Sequence, residues 1–205
     1  MTRFIHPRVV AAAEGTLPEW TAAGDERRAH ADRVAALMAE WSGELGLSEA
    51  DRIRWVAAGR LHDTLKDADP SELRPHVPRD LLPLPDGLLH GPAAAERLRS
   101  EGVADEDLLR AIAFHTLGHP ELDVLGQALY AADFLEPGRR SRASWRAELR
   151  ERMPHEMAEV VLQVTRARIM DTLNRKRVLR PETARFWSRL VSSCSVSSAG
   201  PGDHA

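Results

Sequence analysis

Apolar residues along most of this chain recur at three- and four-residue steps, the spacing of one face of an α-helix. Over 25–45, Val34, Leu37, Met38, Trp41 and Leu45 form one stripe, with His30 in the first turns and Gly46 ending the segment. Ser48 followed by Asp51 resembles a capping box, in which hydroxyl and carboxylate satisfy orphan amides. It predicts a second helix through Ile53, Val56, Ala57 and Leu61 to about Lys66, bounded by Asp69-Pro70. The stretch over 70–87 carries Pro70, Pro75, Pro78, Pro83 and Pro85, too broken for a long helix and read as loop with short turns. Gly91-Pro92 suits an N-cap and first helical position, opening a helix to about Arg99. Another is predicted over 105–116, stopped by Gly118 and Pro120, so His90 and His115 fall at helix edges. A helix over 121–135 brings Asp133 and Glu136 one turn apart, and further helices follow near 144–152, 154–174 and 181–191. β-Branched runs, alternating stretches and Asn-Gly or Asp-Gly hairpins are almost absent, so the expected class is all-α. The organisation reads as an N-terminal segment over 1–24, one domain over 25–192 and a disordered tail over 193–205.

The 205 residues, 43% hydrophobic and 29% charged, fit an ordinary globular protein with one sizeable core. No stretch approaches the roughly 20 apolar residues of a membrane span. The opening MTRFIHPRVVAAAEGTLPEW lacks the charged, apolar and cleavage-site succession of a signal peptide. A cytoplasmic protein with no membrane partner is expected. Cys194 is the single cysteine, so a disulfide or thiolate metal site is excluded and any metal must use His and carboxylates. The net charge of -3 hides a basic stretch over 139–190, with 14 Arg and Lys against 6 Asp and Glu. Such a region could meet nucleic acid or polyphosphate, but Arg-rich helices are more often solvated faces, and nucleic acid is not the expected partner. Only Lys66 and Lys176 among the 28 basic residues are lysines, which makes Lys66 informative beside candidate site residues.

A GxSxG elbow and a phosphate-cradling glycine loop are both missing. What remains is a set of His and Asp residues on several helices that could converge, and helical bundles build dinuclear sites from such inward-facing side chains. His62 and Asp63 are adjacent and diverge by about 100° on a helix, so they can share a metal only near an edge facing a cleft. Lys66 follows on the same side one turn later, where it could meet a metal-bound phosphate.

The runs RRAHADRV, AAGRLHDTLKD, LLHG, AIAFHTLGH and LYAADFLEPGR, in that order, resemble the HD-domain phosphohydrolases. Within them they resemble the YqeK-type symmetrical diadenosine tetraphosphate hydrolases, from about Asp25 to Arg140, and RPETARFWSRL resembles that family's C-terminal helix. The resemblance implies a helical bundle with a metal site between helices. It implies two divalent or redox-active metal ions, iron foremost, with manganese, cobalt or another divalent metal as substitutes. It implies that His30, His62 and Asp133 serve one ion, His90 and His115 the other, and that Asp63 bridges both and acts in catalysis with Lys66. Arg27, Lys66, Thr116 and Arg139 fall on positions near the phosphates. The implied reaction cleaves a dinucleoside tetraphosphate into two nucleoside diphosphates; alternatives are an HD nucleotidase or phosphodiesterase on other nucleotides, or a non-catalytic nucleotide-sensing protein. A homodimer stays open. Arg60, where the family carries an apolar residue, and Leu122 or Asp123, where it carries methionine, are departures that bear on substrate packing. Glu136 is read equally as a site residue or a solvated one, and His76, His119 and His155 as surface histidines.

Overall fold

The structure, a computed structural model, describes residues 4–197, and those residues form helices and turns with no strand. In chain order the helices are α1 (Pro7–Ala13), α2 (Asp25–Glu44), α3 (Glu49–Leu61), the short α4 (Pro70–Leu73), α5 (His90–Ser100) and α6 (Glu106–Phe114). They continue with α7 (Val124–Leu135), α8 (Ala143–Arg152), α9 (Met157–Asn174) and α10 (Pro181–Ser197). No helix among the described residues is long and apolar enough to cross a membrane.

Helix α7, with the sequence VLGQALYAADFL, is apolar on nearly every side, the signature of a helix buried all round. Leu125, Leu129, Tyr130 and Leu135 are fully enclosed, and α7 packs against α2, α3, α6 and α9. Around this centre α2 and α3 make the most extensive pairing, with Val34, Met38 and Trp41 meeting Trp55, Ala58 and Leu61 in the core. Their crossing depends on Gly59, where a Cβ would lie 2.6 Å from Ala35 Cα and 2.8 Å from Ala35 N. Backbone touches backbone at this point, and α3 is thereby set deep enough to carry its C-terminal end into the middle of the bundle.

Local signals act as expected at several ends. Ser48 Oγ accepts from Asp51 N at 3.2 Å, while Asp105 and Asp123 cap α6 and α7 by accepting from Leu108 N and Gly126 N. Elsewhere tertiary contacts move the boundaries. Helix α3 stops at Leu61 rather than near Lys66, because Thr64 O accepts Ala22 N at 2.8 Å and Ala22 O accepts Asp67 N at 3.1 Å. The N-terminal strap thus takes the groups that a further helical turn would use, and 62–68 folds into tight turns instead. Helix α5 begins at His90, with Gly91-Pro92 inside its first turn rather than at its cap. Helices α7 and α9 start three residues later than the sequence reading, at Val124 and Met157. Helix α10 continues past Val191 to Ser197, with Ser188, Ser192 and Ser193 hydroxyls turned back onto carbonyls four residues earlier. Residues 198–205 of the expected tail lie outside the described residues.

The sequence reading left 1–24 without an element, yet α1 forms there, started by Pro7 and packed on α3 through Val9 and Ala12. Arg60 explains why the helix is held: its guanidinium donates to Ala12 O at 3.2 Å and to Ala13 O, and pairs with Asp32 at 3.2 Å. The charged residue at a family-apolar position therefore caps α1. Trp20 Nε1 and Arg8 Nε both donate to Glu101, at 2.6 and 2.7 Å, tying the same segment to the end of α5.

The two helical glycines on this framework should respond in opposite ways. Gly43→Ala, with open space where a Cβ would go, should stabilise the protein by about 0.5–1 kcal/mol through helix propensity. Gly59→Ala should destabilise it by about 1–3 kcal/mol by forcing α2 and α3 apart. Thermal denaturation of the two variants checks this, and a Gly59→Ala protein as stable as the parent would refute the close crossing.

Candidate metal centre

The end of α3 is where the site begins. His62 is the C-cap of that helix and fully buried, and the tight turn that follows swings Asp63 to the same side instead of letting the pair diverge. From α2, His30 faces the pair; from α7, Asp133 rises out of the apolar core; His90 opens α5 and His115 caps α6. Gly91 allows the last approach, since a Cβ there would lie 2.8 Å from Ile112 O and 2.9 Å from Ala113 O. All six residues that the sequence singled out as ligands are buried, and they meet in one place.

The distances define two halves. His30 Nε2 lies 3.3 Å from His62 Nε2 and 3.2 Å from Asp133 Oδ1. His90 Nε2 lies 3.2 Å from His115 Nε2, and these two nitrogens are 3.1 and 3.4 Å from Asp63 Oδ1. Asp63 Oδ2 faces the other half, 3.7 Å from His62 Nε2 and 3.8 Å from His30 Nε2. One carboxylate therefore turns one oxygen to each pair of histidines. His30, His62 and Asp133 form one group able to hold a metal ion, and His62, Asp63 and His115 form a second.

Hydrogen bonds on the outer edges of the rings fix what the inner edges offer. His62 Nδ1 and His115 Nδ1 each lie 2.8 Å from a carbonyl, Gly59 O and Ile112 O, and a carbonyl can only accept. A neutral ring with its proton on Nδ1 turns the Nε2 lone pair inward. Burial pushes His62 down to about 4, against the pull of Asp63, and His90 likewise to about 4, so both are neutral near pH 7. His30 behaves differently: burial opposes its charge, but the hydrogen bond and charge of Asp133 and the charge of Asp63 raise its pKa overall. Burial alone would raise Asp63 and Asp133, yet the surrounding imidazoles hold Asp63 far below the usual carboxylate range, and His30, Arg168 and Arg139 do the same for Asp133.

This donor set fits a metal. Two nitrogens bound about 2.0–2.1 Å from one ion lie about 3.0–3.4 Å apart at octahedral to tetrahedral angles, the spacing found in both histidine pairs. Inward lone pairs beside an ionised carboxylate are mutually repulsive until a cation lies among them. Asp63 makes no direct ion pair with an Arg or Lys among the described residues, and its nearest partners are imidazoles.

Two residues around the centre went unassigned from sequence. Glu136, read equally as solvated, is buried; it faces His30 Nδ1 at 3.3 Å and accepts from Arg33 Nε at 2.6 Å and Gly138 N at 2.8 Å. It orients the His30 ring through the nitrogen that points away from the centre. Arg168 Nη2 donates to Asp133 Oδ2 at 2.8 Å from α9, and its only sequence signal was the long basic stretch. The residues expected near phosphate take different places. Lys66 Nζ lies 3.2 Å from His90 Nε2, and burial lowers its pKa. Arg27 pairs with Asp67 at 3.4 Å beside it, Arg139 donates to Asp133 Oδ1 at 2.8 Å, and Thr116 follows His115 on the wall of a cleft. His76 and His119 are half-buried and His155 is exposed, paired with Glu44 at 3.4 Å; His119 stacks near Phe114 rather than standing free in solvent.

The family model for the HD domain matches residues 27–138. A protein of Halalkalibacterium halodurans named symmetrical bis(5'-nucleosyl)-tetraphosphatase is 38% identical over 96 residues, 44% of this chain and 51% of that protein. A protein of Bacillus subtilis with the same name is 28% identical over 150 residues, 70% of this chain and 79% of that one. The chain thus spans about half the length of the first relative and more of the second. In fold it is similar to a crystal structure from Clostridium acetobutylicum described as a predicted HD superfamily hydrolase involved in NAD metabolism. The TM-score is 0.74 at 22% identity, over 94% of this chain and 100% of that one.

Metal ions that bind the folded centre and not the unfolded chain must stabilise the protein by mass action. Manganese added at about 100 times its Kd to chelator-treated protein should raise stability by about 2.7 kcal/mol, seen as an increase in Tm of roughly 5–10 °C. His62→Ala should remove most of that increase; an undiminished increase would place the metal elsewhere.

Proposed function

Because the chain belongs to the HD domain family, we propose that it is a metal-dependent phosphohydrolase that cleaves dinucleoside tetraphosphates, diadenosine tetraphosphate among them, symmetrically into two nucleoside diphosphates. The observation that carries the reading is the convergence of four imidazole Nε2 atoms on the two oxygens of Asp63. The named relatives supply the substrate class. In this reading His30, His62 and Asp133 would hold one ion and His90 and His115 the other, with Asp63 a donor available to both. Iron is the metal, replaceable by manganese, cobalt or another divalent ion that accepts nitrogen and oxygen donors. In this reading the reaction is a cytoplasmic one.

Bound ions would supply a water of lowered pKa and a Lewis acid for the phosphate oxygens. The protein's own part is orientation and charge. Asp63, ionised in its imidazole surround, directs the attacking water in line with the central phosphoanhydride. One P–O bond forms as the bridging P–O bond breaks, and the bridging oxygen leaves on the second nucleoside diphosphate. Lys66, held beside His90, meets the nonbridging oxygens on which charge grows; Arg27, Thr116 and Arg139 position the phosphates on either side. Glu136 keeps His30 turned to the centre, and loss of that carboxylate would loosen the ring rather than remove a donor.

Chromatography of the products from diadenosine tetraphosphate tests the reading: ADP alone is expected, and AMP with ATP would overturn symmetric cleavage. Asp63→Asn should abolish turnover while the helical circular dichroism is kept, since it strips the shared carboxylate of its charge. Lys66→Met should lower kcat by roughly 10²- to 10³-fold at unchanged metal content. Equal kcat and KM in Lys66→Met and parent would withdraw the phosphate role of that lysine.

A further inference from the structure

Beside the metal centre a cleft of about 1080 Å³ opens between the 139–146 segment, α9 and the 175–183 segment. Its wall includes Arg139 and Arg168, both bonded to Asp133, and Thr116, next in sequence to His115, so the cleft adjoins the centre. Eight cationic side chains line it against one carboxylate, Asp171, and that carboxylate already pairs with Arg175 at 2.9 Å. The sequence reading took the basic stretch for solvated faces, but its central members are not solvated.

Arg146 is the telling residue. It is 6% exposed, and among the described residues its guanidinium meets no carboxylate; its partners are Phe134 O, Ser141 O at 2.8 Å, Ser141 Oγ at 3.4 Å and the face of the Phe134 ring, 3.9 Å to the centroid. Burial, then the nearby charges of Arg139, Arg142 and Arg168, lower its pKa to about 10. A buried cation surrounded by cations is costly unless an anion completes the set. Arg168 adds a second sign, because its buried Nε has no hydrogen-bond partner. At the rim Arg142 and Arg177 are exposed, and neither is paired with a carboxylate among the described residues.

We propose that this cleft seats the far phosphates of the substrate, the part that leaves as the second nucleoside diphosphate, and so makes the protein select polyphosphate chains long enough to reach from Asp63 to Arg146 and Arg142. The inference rests on the phosphohydrolase reading and names the specificity device of the same site. The concave shape and volume of the cleft suit a small ligand rather than an extended strand of nucleic acid. Selection follows from reach: a single phosphate at the centre touches none of the outer arginines, whereas a chain of several gains a charge-assisted contact at each. Screening by salt would weaken the outer contacts more than the enclosed inner ones.

The test uses the metal-loaded full chain and two exposed residues, leaving buried Arg146 intact. Arg142→Asn tolerates the left-handed backbone at that position, φ 51°, and is combined with Arg177→Ala. In calorimetry with inorganic tripolyphosphate the double variant should show Kd raised roughly 10- to 100-fold, while Kd for orthophosphate stays within about twofold. With diadenosine tetraphosphate, KM should rise by a similar factor and kcat should hold within about twofold. Arg52→Ala on α3 should change none of these. Unchanged tripolyphosphate affinity in the double variant overturns the proposal, as does an equal loss for orthophosphate, which would place the effect at the metal centre. Tighter binding of a single-stranded oligonucleotide than of tripolyphosphate, lost in the double variant, overturns it in favour of a nucleic-acid surface. Should the parent release no nucleoside diphosphate while tripolyphosphate binding still depends on Arg142 and Arg177, the cleft stands as a polyphosphate seat and the symmetric hydrolase reading falls.

Discussion

Crowding of like electrostatic character is the constraint on which this structure turns. Four imidazole nitrogens and two carboxylates, all buried, face one another at hydrogen-bond distances, and two of the rings have their Nδ1 protons committed to carbonyls outside the cluster. Beyond the attraction of His30 for Asp133 and of the imidazoles for Asp63, inward lone pairs set this close gain little from one another. The arrangement exists because the scaffold imposes it, and the scaffold is accordingly stiff where it touches the centre. Gly59 seats α3 against α2, its carbonyl holds the His62 ring, and Gly91 brings the first turn of α5 onto the last carbonyls of α6, one of which holds His115. The same few atoms serve packing and ligand orientation together.

Much of this was legible in the sequence because the periodicity of α2 and α3 and the capping residue Ser48 are local signals, whereas Asp123, which caps α7, was read as lying inside that helix. The six centre residues were legible through their order in five short runs. What failed was non-local. Nothing near Lys66 says that α3 stops at Leu61; the reason is Ala22, some forty residues upstream, which occupies the backbone groups of the turn. Glu136 looked like a residue with an even chance of solvation because its partners, His30 and Arg33, come from α2. Arg168 and Arg146 were read as members of a charged surface because composition cannot distinguish an arginine facing water from one facing a carboxylate or a void. Helix α1 was missed because its seven residues are too short to carry a pattern of their own, and Arg60 supplies its cap from α3.

Charge is distributed in two shells with opposite tasks. Inside, Asp63, Asp133 and Glu136 gather around His30, where a metal ion would be attracted; outside, Arg139 and Arg168 shield Asp133 while facing the cleft. These two arginines therefore separate a region that attracts metal from one that attracts anions. On the proposed reading, a substrate carrying several negative phosphates would span both regions without reversing sign along its length, since metal at one end and arginines at the other would each be positive.

The strap formed by Ala22 on Thr64 and Asp67 has a consequence for exchange. Because the turn bearing Asp63 is fastened by a distant backbone segment, that carboxylate is in register only with the segment around Ala22 in place. Metal would then enter a turn that is already fastened, unlike small zinc modules whose chain condenses around the ion. Opening of the two hydrogen bonds at Ala22 would free the Asp63 turn without parting the rest of the bundle.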